Sequence, residues 1–479
     1  MITRDTPVPG DPSTPLGTGE KLVRGLGLWQ ATALNMMMMV GIGPFIVVPL
    51  MLGAMGGPQA MLGWVCGALL ALCDGLVWAE LGAAMPRAGG SYVYLREAYG
   101  PGRWGRLMSF LFIWTILFQA PLSMSSGMIG FADYLSYLVP AIGTAGPGLA
   151  DRTLAHRLVA AGLAAFIVFL LYRRITTIGR MSVVIWAIVM ATMGWIIVGG
   201  LTNFNAALVL DLPPGAFALT PAFFTGLGAA MLISIYTYLG YQNVNYLGGE
   251  IRDPERVIPR AIVLSVLGIG VLYFLMNLGL LAVIPWREAL DSKFIVSTFI
   301  ERLYGPAAAQ LATALILVAA FASVFALTLG YSRVPYAAAL DGGFFRIFGN
   351  LHPEKQFPYV SLLAVGGAGI LFAFLFRLGD VIKALIAIRV LVQFVSQAVG
   401  LMLLRRSGRH HFPFRMWLYP LPALLALVGW LWVFFSSGKF FIALGSGVLL
   451  AGVATYLARS WVLKEFPFAQ PASNRNTSS

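Results

Sequence analysis

The residues best placed to do chemistry are backbone groups, and two short runs expose them. The first reads Asn35-Met36-Met37-Met38-Met39-Val40-Gly41-Ile42-Gly43-Pro44-Phe45-Ile46, with two glycines and a proline inside an apolar stretch. Glycine weakens a helix and proline removes an amide donor, so the spacing predicts a break there. The second run, Tyr236-Thr237-Tyr238-Leu239-Gly240-Tyr241-Gln242-Asn243, puts a glycine and polar side chains in the middle of another apolar stretch. Freed amides and carbonyls cannot face lipid, so each break must line a cavity or be covered by protein. The methionines from Met36 to Met39 cover every face of a helical turn, which leaves their last carbonyls, not their sulfurs, as candidate ligands.

Two ionisable groups, Asp74 and Arg389, lie deep in apolar stretches, where a charge is expensive unless it faces a cavity or a partner. A mutual pair, a proton-linked role and separate structural partners all fit the sequence. Enzyme chemistry does not. No H-E-x-x-H or G-x-S-x-G pattern occurs, and His410 and His411 are adjacent loop residues, so no catalytic residue and no metal ligand is expected. Gly25-x-Gly27, Gly41-x-Gly43 and Gly226-x-Gly228 lack the preceding strand and the third glycine of a dinucleotide fingerprint, and no cofactor is implied. Cys66 and Cys73 are seven apart on one helix face, a spacing for packing and not for metal or redox work.

The elements that must position these groups are membrane helices. With 59% hydrophobic and 11% charged residues and a mean hydropathy of +0.82, the chain's solvent is lipid. The net charge of +13 lies in short loops and not in a nucleic-acid-binding patch. Arg87, Arg96, Arg103 and Arg106 form one cluster, Arg173, Arg174 and Arg180 a second, Arg252, Arg256 and Arg260 a third, and Arg405, Arg406, Arg409 and Arg415 a fourth. The stretches 53–59 and 201–224 carry no basic residue. That asymmetry predicts a multi-pass protein of the inner (cytoplasmic) membrane with its N-terminus, near Lys21 and Arg24, in the cytoplasm.

A window of about 20 residues finds about twelve spans. They begin near Leu26, Pro58, Gly105, Leu158, Met181, Pro221, Ala261, Ala307, Pro358, Val381, Met416 and Phe440. An even number returns the C-terminus to the cytoplasm, in keeping with Arg459, Lys464 and Arg475. The expected organisation is a cytoplasmic tail over 1–25 without a cleavable signal, a membrane domain over 26–465, and a cytoplasmic tail over 466–479, with disorder after Ala469. The two breaks fall in spans one and six. Two inverted five-helix repeats followed by two further helices would place them so, with a binding site at the midplane. Gly63-x-x-x-Gly67 in the second span is a spacing for close helix approach.

Several segments resemble a known family. They are Gly41-Ile42-Gly43-Pro44-Phe45, Ala79-Glu80-Leu81-Gly82, Met85-Pro86-Arg87-Ala88-Gly89-Gly90-Ser91-Tyr92-Val93-Tyr94, Ala98-Tyr99-Gly100-Pro101, Glu250-Ile251-Arg252-Asp253-Pro254-Glu255-Arg256-Val257-Ile258-Pro259-Arg260-Ala261, and Ser332-Arg333 through Asp341-Gly342. In this order over about residues 25–465, the chain is similar to the amino acid, polyamine and organocation transporter superfamily. The resemblance implies an all-α membrane protein with the fold of the bacterial leucine transporter, helices one and six unwound around a central amino acid. It implies a substrate carboxylate at the amides of Gly41, Ile42 and Gly43, and an ammonium at the carbonyls of Met39, Tyr236 and Leu239. Tyr236 takes the aromatic gate position, with Tyr238, Gly240, Tyr241 and Gln242 on or beside the pocket side. Gln119, Ser123, Ser125 and Ser126 either shape a side-chain pocket or bond between helices.

The chain departs from the family pattern at Ile42, where relatives often carry a serine or threonine, and Pro44 removes another donor. Val189 falls at a position where several relatives carry a lysine, and Ser323 and Thr328 are five apart, not a neighbouring hydroxyl pair. These departures favour exchange or facilitated diffusion over ion symport, with Asp74 as a possible proton carrier. The expected function is amino acid transport by alternating access, with an amino acid and the lipid bilayer as partners. A polyamine carrier, which would want cavity carboxylates, and a non-transporting sensor are the rivals.

Overall fold

The computed structural model describes residues 22–102, 104–142, 154–375, 378–408 and 410–462. Residues 1–21 of the expected N-terminal tail and all of 466–479, with the disorder expected after Ala469, lie outside these. The described residues are helical, joined by two isolated β-bridges, Leu26 to Ile251 and Ala88 to Leu247. The helices that build the membrane domain are α1 (Leu28–Met39), α2 (Gly43–Ile46), α3 (Val48–Met55), α4 (Met61–Ala84), α5 (Trp104–Leu138), α6 (Leu154–Leu171), α7 (Ile175–Thr202) and α8 (Pro221–Tyr238). They continue with α9 (Asn243–Tyr246), α10 (Pro254–Leu281), α11 (Pro306–Tyr331), α12 (Tyr359–Leu375), α13 (Leu378–Arg389), α14 (Ser396–Ser407), α15 (Leu421–Ser436) and α16 (Lys439–Val462).

Nine helices among the described residues are long and apolar enough to cross a membrane, ten when the bent pair Leu28–Ile46 and Val48–Met55 counts as one span. The chain is thus a multi-pass membrane protein. The expected count of twelve includes α12 and α15, which have 17 and 16 residues. At about 1.5 Å per residue these fall a few ångströms short of a hydrocarbon core about 30 Å thick. Each begins directly after a proline, Pro358 or Pro420, which cannot donate to a preceding turn.

The first span is interrupted twice. Helical bonding lapses over Val40–Ile42, and the larger turn, 61°, comes at Val47. Pro49, in the first turn of α3, explains the second, because its missing amide and its ring prevent a continuous helix. The sixth stretch stops at Tyr238 and resumes as α9 at Asn243.

Small residues bring the bundle together. A Cβ on Gly63 would lie 2.8 Å from Ala230 Cβ, so α4 and α8 nearly touch backbone to backbone, and Ser234 Oγ donates to the Gly63 carbonyl at 2.8 Å. Cys66 and Cys73 are free thiols of α4, the second buried. Two ion pairs tie the ends of the bundle. Arg333 donates to both carboxylate oxygens of Glu250 at 2.7 and 2.8 Å, with both side chains buried. Arg405 grips Glu80 in the same two-pronged way at 2.5 and 2.7 Å, and the Met416 amide adds a third donor at 2.9 Å.

Candidate functional site

The two interruptions meet. Gly240 has φ +149°, a region that L side chains rarely adopt, and a Cβ there would stand 2.6 Å from the Met39 amide nitrogen. Only a residue without a side chain lets the α8 break approach the end of α1 so closely. Val40 donates to the Met36 carbonyl at 2.7 Å and Gly41 turns back to Met39 at 3.0 Å, whereas the amides of Ile42 and Gly43 have no carbonyl partner among the described residues.

Side chains satisfy much of what the breaks expose, as buried backbone groups require. Tyr273, on α10, places its hydroxyl 2.7 Å from the Met39 carbonyl and 3.2 Å from the Thr237 carbonyl. Ser323 on α11 donates to the Met38 carbonyl at 3.2 Å, and Asn35 Oδ1 accepts from the Val244 amide at 2.9 Å. Gln242 folds back so that its Oε1 accepts from the Gly240 amide at 3.0 Å.

Between the breaks lies a cavity of about 50 Å³. Its walls include Met39, Gly41, Ile42 and Gly43 from the first break, and Tyr236, Thr237 and Leu239 from the second. Ser123 and Ser126 of α5, Ser323 and Tyr331 of α11, and Arg389 complete much of the lining. Such a volume holds only a few waters, so admitting a small organic molecule requires the lining to give way. Tyr236 crosses the cavity and donates from its hydroxyl to Ser126 Oγ at 3.0 Å. The Ile42 side chain packs against Gly130 of α5.

Of the residues expected at the pocket, Met39, Gly41, Ile42, Gly43, Tyr236 and Leu239 line this cavity; Tyr238, Gly240 and Gln242 are not among its lining. Tyr238 turns the other way, donating to the Trp64 carbonyl at 3.3 Å and packing on Trp64 and Tyr273. Gly240 and Gln242 shape the break from behind. Of the α5 polar residues, Ser125 bonds within its own helix to Leu122, and Gln119 joins a buried network with Gln393 and Tyr331. Thr328 is back-bonded to the Val324 carbonyl, away from the cavity, and Val189 is buried.

Asp74 and Arg389 are not ion-paired to each other. Asp74 accepts from the Tyr241 hydroxyl at 2.6 Å, so the second break also anchors α4. Arg389 ends α13, immediately before the π-helical turn Val390–Val395, a local widening of the helix frequent at functional sites. Its Nε donates to Gln393 Oε1 at 3.3 Å and its guanidinium lies 5.0 Å from the Phe394 ring centre. With the Gln119 amide turned so that its oxygen faces the guanidinium, it accepts from Arg389 Nη2 at 3.1 Å. No carboxylate among the described residues pairs with Arg389, and the cavity lining contains no acid. The sequence left Arg389 facing either a cavity or a partner, and the structure puts it on the cavity wall.

Comparison with known proteins bears on the family of the chain. The chain is 28% identical to the b(0,+)-type amino acid transporter 1 of Mus musculus, over 66% of its own length and 62% of that protein's. It is 26% identical to the cystine/glutamate transporter of Homo sapiens, over 94% and 86%. It is 25% identical to the serine/threonine exchanger SteT of Bacillus subtilis (strain 168), over 91% and 96%. The profile of the family described as amino acid permease matches residues 26–457, from just before α1 to within α16. The chain therefore belongs to the amino acid permease family, a family of transporters and not of enzymes.

Proposed function

We propose that this protein moves amino acids across the cytoplasmic membrane by alternating access, and that it does so by exchange. The observation that carries the reading is the meeting of two helix interruptions across one small cavity, with Gly240 against Met39 and Tyr273 bonded to both. In this reading the amides of Ile42 and Gly43 hold the substrate carboxylate, the carbonyls near Met39 and Leu239 hold the ammonium, and Tyr236 is the lid. The twelve-span arrangement, with inverted five-helix repeats, α12 and α15 as thinner spans and both termini cytoplasmic, belongs to the same proposal. Its support is the position of the breaks and the basic loops.

The cavity's charge separates this reading from a polyamine or organic cation carrier. A cation about 5 Å from a guanidinium is repelled by about 3 kcal/mol at an effective dielectric of 20. Arg389 lines the wall and no carboxylate among the described lining residues stands with it, so zwitterionic or anionic amino acids are favoured over diamines. Exchange is supported by Val189 in place of a charged group, by the separation of Ser323 from Thr328, and by a relative named as an exchanger. Uptake of a panel of labelled amino acids and diamines into proteoliposomes preloaded with unlabelled counterparts tests the reading. Saturable uptake of one or more amino acids and none of the diamines is expected; uptake of diamines alone would overturn it.

A further inference from the structure

A second recess lies on the flank of the bundle, where α6 ends, α7 begins and the loop before α12 returns. It is open and about 700 Å³ in volume. One wall is apolar, built by Ala165, Val168 and Phe169 of α6 and Leu363 of α12. Phe169 is 64% exposed and Leu363 50%, surfaces that hydrocarbon solvates and water does not. α6 and α12 are held in register below it, since a Cβ on Gly366 would meet Val168 Cγ2 at 2.5 Å.

The rim is cationic. Arg173, Arg174 and Lys355 line it, together with one acid, Glu354. Lys355 is fixed in place, its ammonium donating to the Tyr172 carbonyl at 3.0 Å and lying 4.8 Å from the Tyr172 ring centre. Tyr172 in turn packs edge-on against His352 and Phe357, which pins the loop that carries Lys355. The Arg173 guanidinium stands 5.8 Å from the Phe169 ring centre, at the junction of charge and apolar wall. Arg174 is the N-cap of α7, a 28-residue helix with no side-chain cap and no acid in its first turn, so the positive end of its dipole opens at the same rim. No carboxylate among the described residues forms an ion pair with these three cations.

Cations fixed above a groove that faces hydrocarbon select a ligand that is anionic at one end and aliphatic at the other. We propose that this recess is a binding site for an anionic phospholipid of the phosphatidylglycerol kind, headgroup phosphate at Arg173, Arg174 and Lys355 and one acyl chain along α6 and α12. A zwitterionic headgroup would bring its own cation to a cationic rim, and a free phosphate would leave the apolar wall uncovered. The site shares no lining residue with the central cavity, so the assignment is independent of the transport reading.

The test uses the whole chain purified in a non-ionic detergent. Binding is read by native mass spectrometry and by the shift of the melting midpoint on adding phosphatidylglycerol, phosphatidylcholine or water-soluble glycerol 3-phosphate. Phosphatidylglycerol alone should be retained and raise the midpoint. The triple variant Arg173→Gln, Arg174→Gln, Lys355→Gln should bind it on the order of 100-fold more weakly, and Arg174→Gln alone about fivefold. Arg459→Gln, which removes an exposed cation at the end of α16, should bind as the parent does. Should the triple variant fail to fold, the single Arg174→Gln decides. Unchanged phosphatidylglycerol binding in the variants, equal protection by phosphatidylcholine, or full reproduction of the effect by glycerol 3-phosphate would each overturn the assignment.

Discussion

The Tyr273 hydroxyl rests 2.7 Å from the Met39 carbonyl, where α1 ends. The same hydroxyl is 3.2 Å from the Thr237 carbonyl on α8, so one side chain of α10 caps both interrupted helices. Removing the oxygen while keeping the ring isolates that function. Tyr273→Phe should lower uptake by about tenfold, since an orphaned buried carbonyl costs about 1–3 kcal/mol. The comparison is initial uptake rate per molecule of reconstituted protein, and a rate equal to the parent's would show that the shared cap is dispensable.

Gly240 should tolerate no side chain. Its φ and the 2.6 Å gap to Met39 make Gly240→Ala strained by about 1–3 kcal/mol before any clash is relieved. Gly367→Ala on α12, where an added Cβ meets nothing within 4 Å, is the matched control. Uptake should collapse in the first and persist in the second. Equal activity in both would mean that the two breaks need not touch.

Arg389→Gln should change selectivity more than stability. The cavity loses its fixed positive charge, and cationic competitors such as lysine or a diamine, weak against the parent, should gain about tenfold or more in their inhibition of uptake. Competition curves against one labelled substrate measure this. Identical curves would remove the guanidinium from the site.

The Glu250–Arg333 pair carries a stability prediction. Glu250→Gln leaves a buried guanidinium without its counter-ion, a change that costs about 3–5 kcal/mol. Replacing both partners, as Glu250→Gln with Arg333→Met, should restore much of the loss. Melting midpoints in detergent should rank parent, double variant, then single variant. A single variant as stable as the parent would contradict the burial.

How much of this was legible in the sequence depended on what each signal measures. Composition and loop charge reported the solvent, and Gly41 and Gly240 marked where helical bonding stops, while Gly43 and Pro44 open the short helix that follows the first lapse. Which residue faces the cavity was less readable, because a break erases the phase of the helix on either side. The family resemblance puts Tyr238 and Gln242 on or beside the pocket side, yet one turns to Trp64 and the other folds onto its own backbone. Tyr273 was invisible as a cap, being a lone polar tip on an ordinary apolar helix far along the chain. The 61° turn at Val47 was signalled by Pro49, overshadowed by the glycines before it. Hydropathy windows also overstate length, as α12 and α15 illustrate, since they do not sense a helix start fixed by proline.

The central claim, exchange of amino acids through the cavity between the two breaks, is tested most directly by counterflow. Proteoliposomes holding the parent protein are loaded with unlabelled substrate or left empty, then given labelled substrate with a proton gradient, a sodium gradient or neither. Rapid labelled uptake only into loaded vesicles, indifferent to both gradients, is the predicted result. Concentrative uptake into empty vesicles driven by either gradient would contradict it.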